Sequence, residues 1–93
     1  MSKILKEALR VIDRPRAAEV FPPRNFINEE LEARGWLRQE LAVRMRVNVA
    51  VVFRVLDGLE PMPEDWPEKL AHAFGTSADI WRNLETTWRE SQS

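Results

Sequence analysis

The glycines constrain the fold of this chain more than any other residues, because each of the three follows a stretch of helically spaced apolar residues. Glycine adopts the left-handed backbone conformation that ends a helix at little cost. Gly35, Gly58 and Gly75 are therefore predicted to end three separate helices. No Asn-Gly turn joins alternating apolar runs, and the single Asp-Gly pair, at 57–58, ends a helical stretch. The sequence predicts an all-α fold.

Five short helices are predicted between residues 23 and 90. Their approximate ranges are 23–34, 37–45, 49–57, 66–74 and 76–90. Asn48 is expected to cap the third helix, and Asp65 with Glu68 has the spacing of a capping box for the fourth. The fifth helix is expected to begin at Thr76. Helices of this length joined by short turns favour one compact helical domain.

The beginning of the chain forms a separate predicted segment. Apolar residues at spacings of three and four predict an amphipathic helix over 2–12, which Pro15 should end because proline lacks a backbone N–H. An extended connector then leads to the helical domain. We therefore divide the chain into an N-terminal segment, 1–20, and a helical domain, 21–93.

Charge is balanced over the whole chain but not along it. The 14 basic and 15 acidic side chains give no overall attraction for a polyanion. Residues 1–24 nevertheless carry a net charge of +3, and residues 59–93 carry −4. Any contact with nucleic acid must therefore come from a local basic patch.

Several function classes lack their usual residues. The chain has no cysteine and a single histidine, His72. A thiolate zinc site is therefore excluded, and any Ser-His-Asp catalysis would depend on that one histidine. No glycine-rich phosphate loop is present, and the acidic pairs fit helix N-termini. We expect no enzyme activity, no metal and no cofactor. Without an apolar run of about 18 residues or a signal-peptide pattern, we expect a cytoplasmic protein that does not contact the membrane.

The turn between the second and third predicted helices is very short. Met45-Arg46-Val47-Asn48 leaves room only for two helices that meet at a steep angle, which is the helix-turn-helix arrangement. Ala42 fits this prediction, because a small residue is needed where the helices approach each other. Val47 fits it too, as an apolar turn residue that fills the space beneath the pair.

Three stretches within residues 21–88 are distinctive. They are Phe21-Pro22-Pro23 followed by EELEARGW at 29–36, the positions Leu41, Ala42, Val47, Val52, Leu56 and Gly58, and AHAFGTSADIWRNL at 71–84. In this combination the chain resembles the plasmid-maintenance antidote proteins, the HigA-type antitoxins of the Cro/repressor helix-turn-helix family. The last stretch is the most specific of the three. The first 20 residues lie outside the resemblance.

This resemblance implies a small dimeric DNA-binding protein that represses its own operon and neutralises a co-encoded ribonuclease toxin. Such proteins are not enzymes and need no metal. The expected fold is a Cro/repressor-like five-helix domain. The chain departs from the family pattern at three positions, where Leu37 replaces a polar cap, Arg38 replaces a glutamine and Arg46 replaces the glycine of the turn. Arg46 should be strained if the turn keeps its left-handed conformation.

A basic patch in the helix-turn-helix predicts the DNA contacts. Residues 38–54 carry four arginines and one glutamate. Arg38 and Arg46 are expected to contact phosphates, and Asn48 and Arg54 to reach base edges. Apolar contacts with thymine methyl groups are expected from two further residues of the third helix, Val49 and Ala50.

The same third helix supports a second prediction, because Val49 and Phe53 also fit a protein-contact surface. Phe53 could instead turn into the core or be covered by the N-terminal helix. Trp81 and Trp88 are the other predicted protein contacts. In this alternative the chain is a protein-interaction module on a repressor scaffold that binds DNA weakly or not at all.

Two partners are expected in addition to double-stranded operator DNA. A homodimer is predicted, because a chain this small has more large apolar surface on its last helix than five short helices easily bury. Its two recognition helices would lie roughly 34 Å apart, facing successive major grooves. A cognate ribonuclease-type toxin, which is typically basic, could be attracted by the acidic last third of the chain.

Overall fold

The computed structural model describes residues 20–92, which form five α-helices and no β-strand. The helices are α1 (Pro23–Arg34), α2 (Arg38–Met45), α3 (Val49–Leu56), α4 (Trp66–Phe74) and α5 (Ala78–Ser91). The prediction of an all-α fold is confirmed. No helix in this part of the chain is long and apolar enough to cross a membrane. The predicted N-terminal helix and most of its connector lie outside the described residues.

The predicted glycine stops are confirmed. Gly35, Gly58 and Gly75 have φ angles of 68°, 79° and 70°, all in the left-handed region. Immediately after Gly35, the backbone N–H of Trp36 donates to the carbonyl of Leu31 at 2.9 Å, which satisfies one of the last carbonyls of α1. Helix α3 ends one residue earlier than predicted, at Leu56.

The predicted side-chain cap is confirmed at Asn48 but not at Asp65, although α4 begins directly after Asp65 as predicted, and α5 begins two residues later than predicted. The Asn48 side chain accepts a hydrogen bond from the backbone N–H of Ala50 at 2.8 Å, as expected of a cap. Asp65 makes no such bond because its backbone is helical (φ −87°, ψ −2°) rather than extended, as an N-cap requires. Helix α5 begins at Ala78 and is capped by Ser77, whose hydroxyl oxygen accepts from the N–H of Asp79.

Thr76, the predicted start of α5, has a different role in the core. Its hydroxyl oxygen accepts a hydrogen bond of 2.9 Å from the indole N–H of Trp81, which is fully buried. A buried indole N–H needs a partner, and Thr76 provides it. The Trp81 ring lies 5.8 Å from Phe74, which stacks at 5.7 Å on Trp36. This row of rings joins the ends of α1 and α4 to α5.

One core unites all five helices. Helix α4 packs against α5, α2 packs against both α3 and α4, and α1 packs against α3 and α5. The predicted inward stripe of α3 is confirmed, because Val52, Val55 and Leu56 are buried. Ala42 is also buried, where α2 packs against α3. The α2–α3 pair is therefore held from two sides, by α4 and by α1.

A charged residue lies inside this core. Glu30 is 1% exposed, and its carboxylate accepts a hydrogen bond from Arg34 Nε at 3.2 Å. Arg34 also donates from Nη2 to the backbone carbonyl of Phe74 at 3.0 Å, which ties the end of α1 to the end of α4. Its guanidinium carbon lies 5.3 Å from the centre of the Trp36 ring and 5.1 Å from that of Phe74.

We expect Arg34→Met to lower the free energy of unfolding by about 2–3 kcal/mol, because a buried carboxylate loses its arginine while the apolar packing over the rings is retained. Chemical unfolding followed by tryptophan fluorescence measures the change. Lys69→Gln is the matched control: it breaks an exposed i,i+4 pair with Asp65 and should change stability by less than about 0.5 kcal/mol. Equal effects of the two substitutions would contradict the role of Arg34.

Candidate functional site

The α2–α3 pair is joined by a turn of three residues, 46–48. The N–H of Arg46 donates to the carbonyl of Val43 at 3.2 Å, and the N–H of Val47 donates to that of Ala42 at 3.0 Å. Val47 is half-buried and packs against the core, as predicted for an apolar residue of this turn. Helix α2 has Leu37 at its N-cap position and no side-chain cap. The turn is thus closed by backbone hydrogen bonds.

Arg46 has the left-handed conformation expected for a glycine at this position. Its φ and ψ angles are 59° and 46°, and within residues 20–92 it is the single non-glycine residue with positive φ. The turn therefore has a left-handed backbone although its residue carries a side chain. The Arg46 side chain is exposed, and no described residue forms a hydrogen bond or ion pair with its guanidinium.

The two other predicted arginines are held by carboxylates. Arg38 Nη1 lies 2.9 Å from Asp57 Oδ1, and its guanidinium carbon is 5.1 Å from the centre of the Phe53 ring. Arg54 Nε lies 2.6 Å from Glu60 Oε1. Neither carboxylate was anticipated as part of this surface. Both reduce the positive potential beside α3 and would repel a phosphate.

The exposed face of α3 is mostly apolar. Val49 is 40% exposed and Phe53 38%, and Ala50 between them is also exposed. The alternative that Phe53 turns into the core is therefore wrong. These three residues lie beside the buried stripe of the same helix. We call Val49, Ala50 and Phe53 the α3 face.

The two predicted tryptophan contacts differ in their surroundings. Trp81 has no exposed surface, so the prediction that it contacts another protein is wrong: its ring fills the core and its N–H is already bonded. Trp88 is half-buried, and the guanidinium carbon of Arg24 lies 6.0 Å from the centre of its ring. Trp88 remains available for a contact.

No group of three or more histidine, cysteine, aspartate or glutamate side chains is placed to hold a metal ion within the described residues. His72 is exposed on α4, as predicted. The structure therefore brings together Arg38, Arg46, Asn48, Arg54 and the α3 face on the α2–α3 pair. It adds Asp57 and Glu60, which lie beyond the basic segment that the sequence singled out.

Comparison of the chain with protein-family models, with curated proteins and with solved structures found no match.

The left-handed turn generates a stability prediction. A non-glycine residue in this conformation costs roughly 1–2 kcal/mol, and part of that cost is offset because glycine loses more entropy on folding. Arg46→Gly should therefore raise the free energy of unfolding by about 0.5–1 kcal/mol in urea unfolding experiments. Arg46→Ala is the control, since it removes the same side chain and keeps the strain. If alanine stabilised the chain as much as glycine, the gain would come from charge and not from the backbone.

Proposed function

We propose that this chain is a helix-turn-helix protein that binds duplex DNA and regulates transcription in the manner of the plasmid-maintenance antidotes it resembles. The observation that carries the proposal is the α2–α3 pair, with a three-residue turn and a left-handed Arg46 whose guanidinium has no partner among the described residues. An unpaired guanidinium next to the start of α3 is suited to a phosphate.

The polar groups that could read bases are few. The side-chain oxygen of Asn48 is used in capping α3, which leaves its amide N–H groups for a base edge. Arg54 must leave Glu60 to reach a guanine. The α3 face offers no hydrogen bonds and can contact only thymine methyl groups. We therefore propose that affinity comes mainly from phosphates and that only one or two base pairs are read in each half-site.

The proposal includes a homodimer and a toxin partner. A dimer would present two α3 helices to one operator. The number of base pairs read would then be twice that of a single half-site. The acidic last third of the chain supports a basic partner such as a ribonuclease-type toxin, because its excess of carboxylates attracts positive charge.

A second candidate function is favoured by two ion pairs and an exposed aromatic ring on the α2–α3 surface. Arg38 pairs with Asp57 and lies 5.1 Å from the centre of the exposed Phe53 ring, and Arg54 pairs with Glu60, so this surface carries two cations and two anions. A surface of this kind is complementary to itself under a two-fold axis. In this candidate a second copy of the chain covers the α3 face, and the protein is an interaction module without sequence-specific DNA binding.

The DNA proposal predicts how two arginines differ. Arg46→Ala should weaken binding to the promoter and to a random duplex about equally and lower the salt slope by roughly one unit, because one phosphate contact is lost. Arg54→Ala should cost about 1–3 kcal/mol and relax preference at one base pair. Fluorescence anisotropy over a salt series measures both. Arg89→Ala, on α5, is the control.

Identical behaviour of the Arg46 and Arg54 variants would mean that neither reads bases. If the unmodified chain bound no duplex even at low salt, the DNA-binding proposal itself would fail.

The second candidate predicts that Phe53→Asp stays folded and becomes monomeric, because a charge is placed in the middle of the apolar contact. Light scattering at micromolar concentration and circular dichroism measure assembly and folding. Val43→Asp is the matched control, since Val43 is 76% exposed on α2 and lies outside the α3 face. A variant that stays folded and assembled but loses operator binding would instead favour the DNA-binding proposal. Unfolding of the variant would rule the α3 interface out.

A further inference from the structure

A cleft lies between the end of α2 and one side of α4, and no residue of the α3 face lines it. Its volume is about 330 Å³, well above the roughly 10–15 Å³ of such space that holds one water molecule. The residues that line it are Arg44, Met45, Arg46, Glu68, Lys69 and His72. The cleft is therefore wide enough for a phosphate group together with part of its hydration shell.

The lining is positively charged. Three cations face one carboxylate, and that carboxylate, Glu68, is already paired with Arg82. Arg44 is held by Glu40, with Nη2 2.8 Å from Oε2, and stacks on Trp36. Arg44 therefore contributes positive charge at a fixed position but has few N–H groups left to donate to a ligand.

Two other cations have donors to spare. Lys69 Nζ is 3.6 Å from the nearest Asp65 oxygen, which is too long for a strong hydrogen bond. Arg46 has no partner among the described residues. An arginine fork and a lysine ammonium are the usual donors to a phosphate, and the ring N–H of His72 adds a third.

The backbone at Arg46 supports the same conclusion independently. Glycine would form this turn with less strain, yet the left-handed position carries a long cationic side chain that borders the cleft. Residues held in sparsely populated conformations concentrate at functional sites, where the surrounding structure compensates for their strain. The strain at Arg46 is explained if its guanidinium binds a ligand.

We propose that this cleft binds a phosphate group through Arg46, Lys69 and His72. Where the phosphate belongs to a DNA backbone, the inference rests on the proposed function and extends the contact surface from the turn onto α4. Where it is a free phosphate, the site is independent of DNA binding. The chemistry of recognition is the same for both sources.

The test uses the full-length chain labelled with nitrogen-15 and titrated with pyrophosphate while amide shifts are recorded. Shifts should concentrate at residues 44–46 and 68–72. Lys69→Gln should weaken pyrophosphate binding roughly tenfold, as expected when one charge-assisted hydrogen bond is lost. Arg89→Gln is the control: it also removes one cation from an i,i+4 ion pair, the one with Glu85, but lies outside the cleft. Absence of shifts in the cleft, or equal loss in both variants, would overturn the proposal.

A second arm titrates the same variants with a random duplex over a salt series. If the phosphate is that of DNA, Lys69→Gln should lower the salt slope by about one unit and Arg89→Gln should leave it unchanged. If Lys69→Gln abolishes pyrophosphate binding but leaves the salt slope intact, the site stands and its ligand is a free phosphate. If the unmodified chain binds pyrophosphate but no duplex, the cleft is confirmed while the proposed function fails.

Discussion

The buried contact between Glu30 and Arg34 positions the rest of the domain. Arg34 neutralises a carboxylate inside the core and donates to the last carbonyl of α4, so the ends of two helices far apart in sequence are held together. The same guanidinium lies beside Trp36 and Phe74, whose stack continues to Trp81 in α5. Because α2 packs on α4 and α3 packs on α1, this junction also fixes where the α2–α3 pair sits.

The sequence predicted well those helix ends and caps that depend only on neighbouring residues. A glycine after an apolar stripe ends a helix almost regardless of context, and the Asn48 cap depends only on the two residues that follow it. The predicted cap at Asp65 and the predicted start of α5 at Thr76 are not observed, because a side-chain cap also requires an extended backbone and a free side-chain oxygen. The backbone at Asp65 is helical, and the hydroxyl of Thr76 is bonded to a buried indole five residues later. Neither condition can be read from residue type and spacing.

In the candidate site, too, the features set by helical periodicity were predicted and those set by tertiary contacts were not. The exposed and buried faces of α3 follow from helical periodicity, so Val49 and Phe53 were correctly expected away from the Val52 stripe. Whether each arginine is paired with a carboxylate depends on tertiary structure. Asp57 is 19 residues from Arg38, and Glu60 lies past the end of α3, so a count over residues 38–54 omits both carboxylates. The predicted charge of that segment overstates the attraction that the folded surface exerts on a phosphate.

The paired arginines beside α3, and Arg46 with no partner among the described residues, favour the turn, and not α3, as the place for the proposed anion contact. Beside α3, Arg38 and Arg54 are each paired with a carboxylate, and releasing Arg38 would also remove its contact with the Phe53 ring. At the turn, Arg46 can bind an anion without breaking any ion pair among the described residues. Lys69 would have to break only its 3.6 Å contact with Asp65. Binding at the turn therefore carries the smaller electrostatic penalty. A protein arranged in this way would hold a nucleic acid by its backbone first, and any reading of sequence would depend on how far Arg54 and Asn48 can then reach.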